Sequence, residues 1–180
     1  MSIIRKRFEG ELPNWLHMLS NTQRDWSAEL QTLQGHSDIV TSVAFSPDGQ
    51  LLASGSRNFL QNSDQAFLVW DTSTGALKPQ RFESHSNNVC SVAFSPNSQL
   101  LASVSDETVQ LWDVATGGLQ RTLMGHQNSV NALTFSPDGQ LLASGSGSQF
   151  GNTRDDSVRL WDTATGALQQ TFRNHKGPVN

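Results

Sequence analysis

Apolar positions along this chain come in short runs, each broken after a few residues by turn chemistry. Val40–Phe45 and Leu51–Ser54 flank Ser46-Pro47-Asp48-Gly49, where proline fixes φ and glycine is free to take positive φ. This pattern predicts a β-hairpin. Phe67-Leu68-Val69-Trp70 predicts a third strand. Asp71-Thr72-Ser73-Thr74-Gly75 predicts the next turn, with the Asp side chain bonding nearby backbone N–H groups, and Ala76–Phe82 predicts a fourth strand. A four-stranded antiparallel sheet that is apolar on both faces must stack on like neighbours.

The unit recurs. Val43-Ala44-Phe45-Ser46-Pro47-Asp48-Gly49-Gln50-Leu51-Leu52-Ala53-Ser54-Gly55-Ser56 returns almost unchanged at 133–146, and more loosely at 92–105, where Asn97-Ser98 replaces Asp-Gly. Trp-Asp pairs stand at Trp70-Asp71, Trp112-Asp113 and Trp161-Asp162. Histidines open the units at His36, His85 and His126, and His175 opens a fourth, at spacings of 49, 41 and 49 residues. Gly35 and Gly125 precede their histidines, whereas Ser84 and Asn174 stand at the other two.

A Gly-His, a hairpin and a Trp-Asp, at a period of about 40–45 residues, resemble the WD-repeat β-propeller family. The resemblance runs from Ala28 to the end of the chain. It implies an all-β fold of three four-stranded antiparallel blades, at Val40–Phe82, Val89–Leu123 and Val130–Phe172, in an incomplete ring. The corresponding division is an N-terminal segment over residues 1–27 and a propeller portion over 28–180. Its repeats lie at about 28–71, 76–113 and 118–162, and a fourth starts at 168–180. Glu29-Leu30-Gln31-Thr32-Leu33 reads as a spare outer strand of the kind that closes such rings. Three blades fall below the typical about four to eight. We therefore expect either a piece of a longer protein or copies that assemble through open blade faces.

Each unit holds His, Ser, Asp and Trp, residue types that could suggest a hydrolytic triad. Their repetition points to structure, since an enzyme needs one such site. The family resemblance implies hydrogen-bonded tetrads that tie the outer loop to the inner strands. By position these are His36, Ser54, Asp64 and Trp70; His85, Ser103, Asp106 and Trp112; and His126, Ser144, Asp155 and Trp161. Each Asp lies six residues before its Trp. The Ser103-to-Trp112 interval of 9 residues is one short of the usual family interval, against 16 and 17 in the flanking units. Those longer intervals carry insertions at roughly 57–63 and 147–154, in the loop between second and third strands. Arg57, Phe59, Leu60, Phe150 and Arg154 lie there. Arginine and aromatic residues are favoured at binding hot spots, and loops on rigid scaffolds often carry function.

Composition narrows the function classes. Charged residues make up 16% of the chain, against about 25% in typical proteins, and the net charge is −4. No basic stripe appears, so nucleic acid is not an expected partner. The single Cys90 excludes a disulfide framework. No apolar run approaches the roughly 20 residues of a membrane span, so no direct membrane insertion is expected and a cytoplasmic protein is. Paired cysteines with metal spacing are absent, and no cofactor is expected.

Pro13-Asn14-Trp15-Leu16-His17-Met18-Leu19 predicts a short helix with Trp15, Leu16 and Leu19 on one face. This stretch and Asp25–Leu33 are similar to the junction before the propeller in filamentous-fungal NACHT–WD-repeat proteins of the heterokaryon-incompatibility, NOD-like receptor type. The resemblance implies a ligand-sensing propeller downstream of a nucleotide-binding domain. No Gly-x-x-x-x-Gly-Lys-Ser/Thr occurs in this chain. The expected function is a non-catalytic scaffold for a protein or peptide. The alternative is an adapter of an organelle-membrane complex, as in mitochondrial fission. A propeller enzyme would need a unique polar cluster, and His17 is the one histidine outside the repeat slots.

Overall fold

In a computed structural model, residues 31–57, 67–79, 88–147, 155–173, 175 and 177–179 are described. They fold as three antiparallel sheets. The first holds β1 (Val40–Phe45), β2 (Leu51–Ser56) and β3 (Phe67–Asp71) in that order. The second holds β4 (Val89–Phe94), β5 (Leu100–Ser105), β6 (Thr108–Asp113) and β7 (Leu119–Leu123). The third holds β8 (Val130–Phe135), β9 (Leu141–Ser146), β10 (Val158–Asp162) and β11 (Leu168–Phe172). The all-β expectation is met. The second and third sheets have the four expected strands. In the first, the fourth strand is represented by an isolated bridge between Trp70 and Leu77, and 80–87 lie outside the described residues.

The hairpin turns follow the expected chemistry. Gly49 and Gly139 both sit at φ 72°, and the Ser46 and Ser136 hydroxyls each donate to the next Asp at 2.5 Å. The middle unit keeps the same turn despite Asn97-Ser98. Ser98 takes φ 59°, and Ser95 donates to Asn97 at 2.7 Å in place of the Asp. A non-glycine residue here is strained, and the recurring serine bond and the flanking strands hold it. Each Trp-Asp is followed by a tight turn in which Asp71, Asp113 or Asp162 accepts from backbone and hydroxyl groups of the next threonine turn. The innermost strands carry matching bulges at Val40/Ser42, Val89/Ser91 and Val130/Ala132.

Alternation along each strand gives every sheet two apolar faces. On its trailing face the first sheet offers Ala53, Phe67 and Val69. These pack on Val89, Val92, Phe94, Leu101 and Trp112 on the leading face of the second. Phe67 and Trp112 meet edge to face at 5.6 Å. The second interface repeats the arrangement: Ala102, Val109 and Leu111 pack on Val130, Leu142 and Trp161, with Leu133 and Phe135 alongside. The core is therefore two inter-blade layers. The innermost strands also bond across blades, Thr41 Oγ1 to the Val89 carbonyl at 2.5 Å and Val92 N–H to Ser42 Oγ at 3.2 Å.

Residues 33–180 form one compact unit, and 1–32 form another. The expected helix at 13–19 lies outside the described residues. The spare strand is corrected in part: Gln31, Thr32 and Leu33 form no strand, while Glu29 and Leu30 are outside the described residues.

Candidate functional site

The turn geometry sorts the loops onto two rims. One rim carries the Ser-Pro-Asp-Gly turns and the Asp-Thr turns, stitched together by Thr72 and Thr163, whose hydroxyls donate to the Gly49 and Gly139 carbonyls at 2.7 Å. The other carries the loops that open each unit and the β2–β3 type connections.

On this second rim the third unit brings four side chains into one chain of bonds. Trp161 Nε1–H donates to Ser144 Oγ at 2.8 Å. Ser144 Oγ lies 2.7 Å from His126 Nε2, and His126 Nδ1 lies 3.0 Å from Asp155 Oδ2. One proton arrangement satisfies every atom: indole to serine, serine to neutral imidazole, imidazole to carboxylate. Burial pushes the His126 pKa down, with the Arg159 charge acting in the same direction, so the neutral ring is favoured. Burial pushes the Asp155 carboxyl up. Bonds from Ser157, the Gln127 N–H and His126 outweigh it and hold the carboxyl below its ordinary value.

The first unit shows the same start of the chain. Trp70 Nε1–H donates to Ser54 Oγ at 2.8 Å, and Ser54 lies 2.6 Å from His36 Nε2. Asp64 lies outside the described residues. In the middle unit Trp112 donates to Ser103 at 2.9 Å, and His85 lies outside the described residues. Asp106 differs from the buried Asp155 in exposure. It sits exposed in the two-residue β5–β6 turn at φ 50°, and its carbonyl accepts from Val130 N–H at 2.7 Å. The shorter Ser-to-Trp interval gives this tight turn, whereas in the longer third unit Asp155 is buried against His126 and the Gln127 N–H.

Ser144, His126 and Asp155 are ordered as in a nucleophile–base–acid relay. Ser144 is nonetheless 1% exposed, and its free lone pair is taken by the indole. A substrate carbonyl has no approach to that hydroxyl. Among the described residues, no group of three or more His, Cys, Asp or Glu is placed to hold a metal ion. No helix among them is long and apolar enough to cross a membrane.

Arg57 is exposed at the start of the first insertion, its N–H bonded to the Ile39 carbonyl at 3.0 Å. Phe59, Leu60, Phe150 and Arg154 lie outside the described residues. Sequence reasoning missed Arg159. It is 6% exposed, lies 3.6 Å from Asp155, and has its Nε unpaired. Gly125 leaves the room it needs, since a methyl there would collide with the guanidinium. The aligned positions are Leu68 and Gln110, so the repeat gave no signal for a charge there.

Among the described residues, the turn rim bears open clefts between the blades. One of about 530 Å³ is lined by Asp48, Gln50, Lys78, Ser98 and Asp113. Its counterpart, of about 430 Å³, is lined by Pro96, Asn97, Gln120, Asp138 and Thr163.

Stacked sheets of this kind, each ended by Trp-Asp and laced by a serine–tryptophan bond, match the WD domain, G-beta repeat family over residues 27–71, 78–113 and 117–162. The chain belongs to the WD40 repeat family. Seventy-four of its residues, 41% of the chain, are 45% identical to Vegetative incompatibility protein HET-E-1 of Podospora anserina. Forty-four residues, 24% of the chain, are 50% identical to Protein Mut11 of Chlamydomonas reinhardtii. The matched stretches are 5% and 10% of those proteins, so the chain spans a small part of the relatives it resembles. HET-E-1 is a fungal NACHT–WD-repeat protein, in line with the resemblance drawn from the repeats.

Proposed function

We propose that this chain is the non-catalytic, ligand-sensing propeller portion of a longer receptor-like protein, binding a protein or peptide. WD40 repeat domains generally serve as protein-interaction scaffolds, and the match to three repeats carries the reading. The likeness to a short stretch of HET-E-1 supports the receptor-like context. The working rim is the one bearing the histidine loops and the two insertions. Its base is held rigid by the repeated networks, which act structurally and leave the loops free to vary. Arg57, Phe59, Leu60, Phe150 and Arg154 supply the contact side chains. A cytoplasmic setting fits the unpaired Cys90. Nothing in the fold or the matches favours the mitochondrial-fission adapter.

The test is affinity capture with the wild-type chain and with Arg57, Phe59, Phe150 and Arg154 all changed to Ala. The expected result is loss of specific partners from the variant at unchanged fold. Identical partner lists would overturn the reading.

A further inference from the structure

The two clefts of the turn rim occupy the same place at successive blade junctions, and they differ in what crosses them. At the second junction a cation of the chain itself does so. Arg121 of β7 donates to the Ala164 carbonyl of the next blade, and a methyl at Gly166 would lie 3.2 Å from its Cδ. Thr165 holds the Asp162 carboxyl low, and the Arg121 charge adds to that effect. Trp112 pairs with Leu119 and Trp70 with Leu77, so the residue in register with Arg121 at the first junction is Pro79. Proline brings neither charge nor donor. The counterpart of Asp162 there is Asp113. The first cleft is also the larger, about 530 Å³ against about 430 Å³.

Its lining suits a long cationic side chain. Leu51, Val69 and Val114 give it apolar surface next to the first inter-blade layer. Asp48, from the first blade, and Asp113, from the second, supply carboxylates. Bonds from Ser46 and the Gln50 N–H hold Asp48 below the ordinary carboxylate range, and bonds from Thr116 do the same for Asp113, so both are ionised at neutral pH. Among the described residues neither belongs to an ion pair, while Lys78 of the same lining lies 3.4 Å from Asp71. An arginine buries its methylene stem on apolar surface and keeps its guanidinium for carboxylates.

We propose that the first cleft takes the arginine side chain of a protein partner, a group that the second junction supplies from within the chain. The site lies on the rim opposite the histidine loops. It adds a contact surface to the scaffold and does not depend on the insertions.

NMR of the isotope-labelled full chain, titrated with N-acetyl-argininamide, tests this. Saturating amide shifts are expected at residues 48–50, 98–99 and 113–115. N-acetyl-citrullinamide, of the same shape without the charge, should give none. Asn97 already supports the turn that Asp48 makes, with Ser95 donating to it at 2.7 Å, so D48N keeps the fold. D48N should weaken binding roughly twofold to fivefold. P79R supplies the missing cation from the chain and should abolish binding at unchanged circular dichroism. The proposal is overturned by a wild type without saturable shifts, by shifts confined to the histidine rim, or by an equal response to the citrulline compound. It is overturned as well if D48N binds as tightly as the wild type. The capture variant of the insertions leaves this rim intact, so the two readings fail separately.

Discussion

Ser144 sits where the third network would break first. It is 1% exposed, and its hydroxyl both accepts from Trp161 and donates to His126. Ser144→Ala strips one indole N–H and one imidazole nitrogen of their partners, and both rings are buried. A buried polar group left unsatisfied costs about 1–3 kcal/mol. Two of them, with partial relaxation, give an expected loss of about 2–4 kcal/mol. Urea unfolding followed by tryptophan fluorescence reads this as a lower midpoint at unchanged slope. In a chain of this size the melting temperature should fall by roughly 5–15 °C. The decisive control is a cycle with Trp161→Phe, which keeps a ring and removes the donor. In that background Ser144→Ala should cost at least about 1 kcal/mol less, because only the histidine loses its partner. A loss below about 0.5 kcal/mol, or additivity within about 0.3 kcal/mol, would refute the view that the bonded chain holds this blade together.

Gly55→Ala would set a methyl against Val89 at the first inter-blade layer, where both strands are locked in ladders. It should cost about 1–3 kcal/mol by overpacking, read in the same urea assay, and a neutral result would mean the layer is loosely packed. The pH dependence should show two stages. Burial holds His36 and His126 below their ordinary 6.5, so protons bind the unfolded chain first. Stability from these rings is full above about pH 6.5 and declines as pH falls below it. Hydrogen bonds hold Asp48, Asp71, Asp113, Asp138 and Asp162 below their ordinary 3.8, so their contribution persists above that value and is lost as pH falls through their folded values. A melting temperature that rises between about pH 7 and pH 5 would contradict the neutral buried histidines.

Local chemistry alone determined much of this protein. Proline, aspartate and glycine at 47–49 and 137–139 dictate their turns, because the required φ and the nearby acceptor belong to adjacent residues. Apolar runs of strand length between such turns then leave little choice but hairpins, and β1, β2 and β3 lie where the pattern put them, as do the starts of β4 and β8. The family resemblance implied the pairing of Ser54 with Trp70 and of Ser144 with Trp161, and both indoles donate to their serines at 2.8 Å. Three things were decided only by the packed structure. Asp106 and Asp155 share a place in the repeat, yet Asp106 is exposed in a two-residue turn while Asp155 is buried against His126, because the two units differ in the length of chain before the third strand. Arg159 is buried beside Asp155 at a position that is Leu68 or Gln110 elsewhere, and its room comes from Gly125 across the loop. Val40, Val43 and Phe45 repeat the positions of the buried Val89, Val92 and Phe94 and are themselves exposed, because burial in a stacked sheet belongs to the neighbour as much as to the strand.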